Sequence, residues 1–246
     1  MNYKQEHIKP YDAQREKGEQ VEEMFDNISH SYDLLNHFLS LGIDRKWRKA
    51  AINSLKAFHP RHILDVATGT GDFALLSASM LEPEKLLGVD ISEGMMQVAR
   101  KKAAEQHLDA VVSFQKEDCM QLSLDDNSFD AVTVAYGVRN FADLERGLRE
   151  MLRVLRPDGR LVIIELTAPK SFPMKQLFWL YSHIYMPLIG RIISRDNKAY
   201  SYLPATMEAF PQGEVMQQIL QRCGYADVSF RRFTFGLSTL YTARKP

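Results

Sequence analysis

The chain has 246 residues and sets 31 Lys plus Arg against 31 Asp plus Glu, a formal net charge of zero. That balance removes any bulk electrostatic basis for nucleic-acid binding and leaves no acidic tail. Apolar residues at 45% and charged residues at 25% are ordinary for a soluble globular protein, and two cysteines, Cys119 and Cys223, make neither a disulfide framework nor a four-cysteine zinc site.

In chain order, residues 1–20 are rich in charge, carry no apolar signal segment, and read as a solvated, frayed arm; a reducing cytoplasm is the expected compartment. From Val21 to Leu55, Met24, Phe25, Ile28, Tyr32 and Leu35 recur at helical spacing; Gly42 breaks the run and Trp47 opens a second one. Strands and helices then alternate. HILDVA (62–67) ends in a glycine-rich turn before a helix over 73–81, and KLLGVD (85–90) precedes a helix with Ser92 as its N-cap. Three more strands are expected at 111–118, 129–136 and 160–166, with a helix at 144–155 and a turn at Pro157-Asp158-Gly159 before the last. EVMQQILQRCG forms a helix stopped by Gly224, and VSFRRFTFG and LSTLYTAR form a terminal hairpin. The pattern predicts an α/β fold: a mostly parallel seven-stranded sheet with helices on both faces and a C-terminal antiparallel hairpin. Residues 1–55 are an N-terminal arm and helical extension, and 56–246 one α/β domain with an aromatic-rich insertion at about 167–210.

Within that insertion Gln176 to Gly190 holds no Asp, Glu, Lys or Arg. It is too short to span a bilayer, which takes about 20 apolar residues, and Pro187 interrupts it. Phe172, Met174, Leu177, Phe178, Trp179, Tyr181, Ile184 and Tyr185 exceed the needs of one buried helix face. Three readings stand: core, a groove for an isoprenoid chain, or contact with a bilayer through 172–193.

In an open parallel sheet, ligands bind beyond the carboxyl ends of the strands. Four such ends carry suitable residues. Asp65-Val-Ala-Thr-Gly69-Thr70-Gly71-Asp72 offers glycines at 69 and 71 where a backbone approaches a ligand closely, and N–H groups leading into a helix. Asp90, about 20 residues on, suits the hydroxyls of a ribose. Asp118 and Cys119 lie where an adenine edge is expected, and Ala135-Tyr136-Gly137 lines the floor. The glycine turn alone also fits a loose dinucleotide pattern, G-x-G-x-x-A, or simply a tight turn. Asp90 and Asp118 at successive strand ends turn the reading toward an adenosine-containing ligand.

Asp65-x-x-x-Gly69-x-Gly71, Asp90 and LRPDGRLVI (155–163) resemble a class I S-adenosylmethionine-dependent methyltransferase with a Rossmann-like fold. MFDNISHSYDLLNHFLSLGIDRKWR (24–48), DVATGTGD (65–72), YGVRNF (136–141) and LRPDGRLVIIE (155–165) are similar to the ubiquinone/menaquinone biosynthesis methyltransferase family, from about residue 21 to the end. The resemblance implies C-methylation of a prenylated quinol, demethylmenaquinol to menaquinol, with S-adenosylmethionine as cofactor. It implies cofactor contacts at Thr70, Asp90, Asp118 and Cys119, and a helical lid in 1–55 with Tyr32 near the cofactor. Many relatives have Asn-Ala where this chain has Asp118-Cys119, and Ser at Ala135, so a hydroxyl contact at 135 is absent here.

Attack by a ring carbon requires the adjacent hydroxyl to lose its proton. Arg139 is the candidate to stabilise the phenolate and Asn140 to orient a water; alternatively the pair is a helix entry capped by Asn140. His30, His37 and His183 are too scattered for a metal site, and none is assigned. Rival readings are a methyltransferase acting on another lipophilic molecule, a ubiquinone precursor or RNA, a nicotinamide-dependent oxidoreductase, and a non-catalytic cofactor-binding regulator. The oxidoreductase lacks its Tyr-x-x-x-Lys pair, and the absence of a clustered basic face disfavours RNA. Localisation at the inner face of the cell membrane and assembly as a homodimer stay open.

Overall fold

The computed structural model describes residues 3–30, 32–33, 40, 42–185 and 197–246, with the backbone alone for 197–201. Expectations for Leu35, His37 and 186–193 lie outside the described residues.

The apolar runs become strands β1 (His62–Val66), β2 (Lys85–Asp90), β3 (Val112–Lys116), β4 (Phe129–Ala135) and β5 (Leu155–Leu166). These five pair in parallel, because a helix or long loop carries the chain back between them. β6 (Ala226–Phe233) and β7 (Ser238–Arg244) form the expected hairpin across a short turn at Thr234–Gly236. β7 runs antiparallel to β5, giving the order β3-β2-β1-β4-β5-β7-β6. The strand order reverses beside β1, which has β2 on one edge and β4 on the other.

Side-chain alternation builds a core on each face. In β1, Ile63 points to the layer of α2 (Asp44–Asn53) and α3 (Asp72–Leu81), packing with Trp47, Ala51, Phe73 and Ala78. Leu64 and Val66 point the other way, toward α5 (Leu144–Val154) and α8 (Glu214–Arg222), among Leu148, Met151, Ile219 and Leu220. Leu144, Leu148, Met151 and Val154 fall on one stripe of α5 and are fully buried. Asp143 caps that helix by accepting from Arg146 N at 3.0 Å, so Asn140 is not its cap. On α4 (Glu93–Glu105), Ser92 caps as expected, accepting from Met95 N at 3.1 Å.

The N-terminus departs from expectation. Residues 3–11 pack against the domain while 12–16 are exposed, and Gln5 and Gln20 are fully buried. Glu6 Oε1 accepts from Leu144 N at 2.8 Å, and the Tyr3 hydroxyl donates to Glu145 at 2.5 Å. Lys17 Nζ donates to Gln5 O at 2.6 Å. Charged side chains suggested solvent; here they satisfy buried backbone groups. The first helix, α1 (Lys17–Ile28), accordingly begins before Val21. The Pro157-Asp158-Gly159 turn lies within β5 as an irregularity: Leu155 pairs with Phe129 and Arg160 with Ala131. The insertion supplies α6 (Met174–Leu180), a π-helical turn (Tyr181–Tyr185), and α7 (Asn197–Ala209). Among the described residues no helix is long and apolar enough to cross a membrane.

Candidate active site

The carboxyl ends of four parallel strands open into one cavity. It is lined by Ala67 and Gly69 after β1, Val89 to Ile91 at the end of β2, Glu117 to Met120 after β3, and Ala135 to Gly137 after β4. α1 closes it with Gly18, Val21 and Phe25. Ala67 and Tyr136 both hold positive φ, +53° and +62°, strained values for residues with a side chain. A Cβ on Gly137 would lie 2.5 Å from the Ala67 Cβ, so glycine is required where these two strand exits cross.

The two glycines of the first turn have different work. Gly69 has φ +56° and nothing within 4 Å of its would-be Cβ, so its backbone faces open space in the cavity. Gly71 has φ +80°, and a Cβ there would meet Ala99 at 2.9 Å and Phe114 at 3.1 Å. It secures helix–sheet packing and does not line the cavity, unlike the ligand approach expected of both. Asp90 does line it, held by Gly69 N at 2.8 Å and Ser92 N at 2.9 Å. Burial pushes the Asp90 carboxyl above its ordinary value, while these N–H groups oppose the rise. With the Ile91 N–H also acting on it, the carboxylate keeps acceptor capacity for a hydroxyl.

Asp118 accepts from Met120 N at 2.9 Å and shares the rim with Cys119, whose thiol burial pushes up. Cys119 is therefore a neutral lining group. Ala135 and Tyr32 also line this cavity. Asp65 does not: it is buried under the Thr133 and Thr68 hydroxyls, at 2.6 and 2.7 Å, and burial pushes it up to about 6. Thr70 is likewise off the lining, its hydroxyl donating to Asp33 at 2.6 Å.

A second cavity, of about 390 Å³, adjoins the first. Phe25, Tyr32, Tyr136 and Asn140 line both. Its walls are mostly apolar: Met24, Ile28 and Trp47 on one side, Leu166, Met174, Phe178, Tyr181 and Met207 on the other. The insertion thus splits by face. Phe178 is buried against the cavity, whereas Phe172, Trp179, Leu180 and Ile184 are exposed.

Arg139 opens onto this second cavity alone. Its Nη1 pairs with Glu165 Oε1 at 2.7 Å and also donates to Tyr136 O, and its backbone N donates to Glu165 Oε2 at 3.1 Å. Burial opposes the guanidinium charge, and fully buried Glu165 together with Tyr32 and Tyr202 more than offsets that. Asn140, in the same short turn (Val138–Asn140), leaves its Oδ1 buried without a partner.

Sequence reasoning missed Glu165; an acid ending the buried run VIIE was its signal. It missed also the chain Arg48–Asp72–Lys102–Asp33, which ties α2, α3 and α4 to the segment bearing Tyr32. No spacing reveals these partners, which are far apart in the chain.

Fold and site together define a class: an α/β protein with a cofactor-type cleft at the switch point and an apolar chamber beside it. The chain belongs to the ubiE/COQ5 methyltransferase family, whose sequence profile matches residues 13–245. It is 60% identical over 245 residues to a demethylmenaquinone methyltransferase of Bacteroides fragilis, covering 100% of both chains. It is 42% identical to that of Porphyromonas gingivalis, covering 98% of both. A ubiquinone/menaquinone biosynthesis C-methyltransferase of Geobacter sulfurreducens shares 40% identity over 94% of this chain and 90% of its own. Among solved structures, the [4+2]-cyclase SpnF superposes with a TM-score of 0.67 at 19% identity, covering 93% of this chain and 97% of that one. A possible histamine N-methyltransferase of Thermotoga maritima gives 0.63 at 18% identity, covering 91% and 99%. A cyclase on the same frame underlines that the frame does not choose the reaction.

Proposed function

We propose that the protein transfers the methyl group of S-adenosylmethionine to a ring carbon of demethylmenaquinol, giving menaquinol. The observation that carries this reading is the meeting of two unlike cavities at Phe25, Tyr32, Tyr136 and Asn140, one bordered by Asp90 and Asp118, the other apolar. The first suits a nucleoside and the second a hydrocarbon-tailed ring, so donor and acceptor would face each other across shared walls. The names of the relatives at 60% and 42% identity point to the same substrate.

The residues present fit the cofactor. Gly69 leaves room against the backbone, Asp90 has acceptor capacity for the ribose hydroxyls, and Asp118 with the Cys119 N–H suits an adenine edge. Thr70 belongs to the turn that would receive the carboxylate, and Tyr32 covers the junction. When bound, S-adenosylmethionine supplies an electrophilic sulfonium methyl.

On the acceptor side, the hydroxyl beside the reacting carbon must lose its proton so that the carbon becomes nucleophilic. Arg139, held by Glu165, opposes the charge that then develops on that oxygen. Asn140, reaching both cavities with an unpaired carbonyl oxygen, orients the water that takes the proton. The apolar chamber excludes bulk water from the transfer. After transfer the ring carbon gives up its own hydrogen as a proton, restoring the aromatic ring.

Calorimetric titration with S-adenosylhomocysteine and, in parallel, NADH tests the class; turnover of demethylmenaquinol tests the substrate. Binding of the first ligand and silence from the second are expected. The reverse, or absence of turnover with demethylmenaquinol, overturns the corresponding part. The exposed side of α6 supports a second element of this reading, contact with the bilayer that holds such a substrate.

A further inference from the structure

The second cavity holds more unpartnered polar atoms than a plain hydrocarbon chamber needs. Among the described residues, ten buried side-chain nitrogen or oxygen atoms have no hydrogen-bond partner, and five of them belong to residues lining this one cavity: Arg48, Tyr136, Arg139, Asn140 and Tyr202. Such atoms cost stability unless something fills them. The proposed acceptor is hydrocarbon except for its two ring oxygens, so those oxygens are what the cavity has to match.

Tyr202 stands apart within the group. Its ring, 5% exposed, is clamped among Val21, Met24, Ile28 and Met95, while its hydroxyl has no partner among the described residues. Thr206 Oγ1 donates to the Tyr202 backbone carbonyl at 3.0 Å and leaves the phenol untouched. Burial raises the phenol's pKa, so the group stays neutral and keeps its proton to donate. Arg139 and Glu165 are near enough for their charges to act on it. Asn140 and Tyr136 border both cavities, whereas Tyr202 borders only the second. Arg139 shares the short turn of Asn140, whereas Tyr202 comes from α7; with the oxygen beside the reacting carbon at the Arg139–Asn140 turn, the second ring oxygen is the one left for Tyr202.

We propose that Tyr202 is a specificity-determining residue whose phenol hydroxyl hydrogen-bonds the ring oxygen remote from the reacting carbon. The inference rests on the quinol reading of the site and deepens it: the acceptor must carry two oxygens on opposite sides of its ring. A monohydroxy ring leaves the Tyr202 hydroxyl buried and unpaired, which is how a polar site rejects an analogue lacking the matching group.

Tyr202→Phe removes the hydroxyl and keeps the clamped ring. Because that hydroxyl has no partner among the described residues, the variant should melt at or above the wild-type temperature and bind S-adenosylhomocysteine unchanged. With demethylmenaquinol its kcat/KM should fall by about tenfold to a hundredfold. With a prenylated monohydroxynaphthalene that keeps only the hydroxyl beside the reacting carbon, wild type and Tyr202→Phe should be equal. Unchanged kcat/KM on the quinol, or an equal loss on both acceptors, overturns the role of Tyr202 and leaves the quinol reading intact. Absence of wild-type turnover on the quinol overturns that reading and this role with it.

Discussion

The Arg139–Glu165 pair joins the chemistry proposed for Arg139 to a structural liability. Both side chains are buried, and a buried charge stripped of its partner costs ~3–5 kcal/mol. Arg139→Ala and Glu165→Leu should each lower the unfolding free energy read from urea melts by that order. The apolar double variant, Arg139→Met with Glu165→Leu, should recover most of the loss. Turnover in the double variant should stay at least about a hundredfold down; recovery of turnover would remove Arg139 from the reaction. The glycine turn separates in the same manner. Gly71→Ala meets Ala99 and Phe114 and should lower the melting temperature markedly. Gly69→Ala meets open space, so beyond backbone strain of about 1–3 kcal/mol its main effect should be weaker S-adenosylhomocysteine binding, read by calorimetry.

Among the elements, the segment before α1 does most that composition concealed. Tyr3, Glu6 and Lys17 bind it to the stretch 141–145 that follows Arg139 and Asn140. Burial is the main reason the Lys17 amine falls from 10.5 to about 7, with Arg139 adding to it against Glu6. Between those two values the unfolded chain binds the proton that the folded chain has released, so stability rises with pH; below about 7 both states carry it and the full cost of the buried charge is present. The stability of wild type relative to Lys17→Met should therefore grow by about 1.4 kcal/mol per pH unit above neutrality. Denaturant melts at pH values on either side of 8 check this, and a flat difference would place the amine in solvent. A charge-rich stretch reads as solvated because sequence shows the charges and not the carbonyl groups, Gln5 O and Phe141 O, that receive them.

At the scale of the molecule, α6 and the π-helical turn after it join an inner face on the second cavity to an outer face of exposed Trp179, Leu180 and Ile184. Trp179→Asp should weaken binding to phospholipid vesicles while leaving the turnover of a short-tailed quinol unchanged. Phe178, buried at 4% exposure, is the wrong residue for such a test, and its substitution should instead impair turnover. Equal vesicle binding by wild type and Trp179→Asp would remove the bilayer contact.

The sheet, its hairpin, the Ser92 cap and the acids at the tips of β2 and β3 were all legible along the chain. Each is written in local terms: a two-residue or 3.6-residue period, a turn residue, a cap. Motif resemblance added the family, and the family's profile bears it out. Tertiary structure alone decided that Gly71 serves packing while Gly69 faces the cleft, that Asp65 sits beneath threonine hydroxyls, and that Glu165 holds Arg139. It decided too which side of the aromatic insertion turns inward. Those outcomes depend on contacts between residues tens of positions apart, and a linear pattern carries no record of what will lie on the far side of a buried atom.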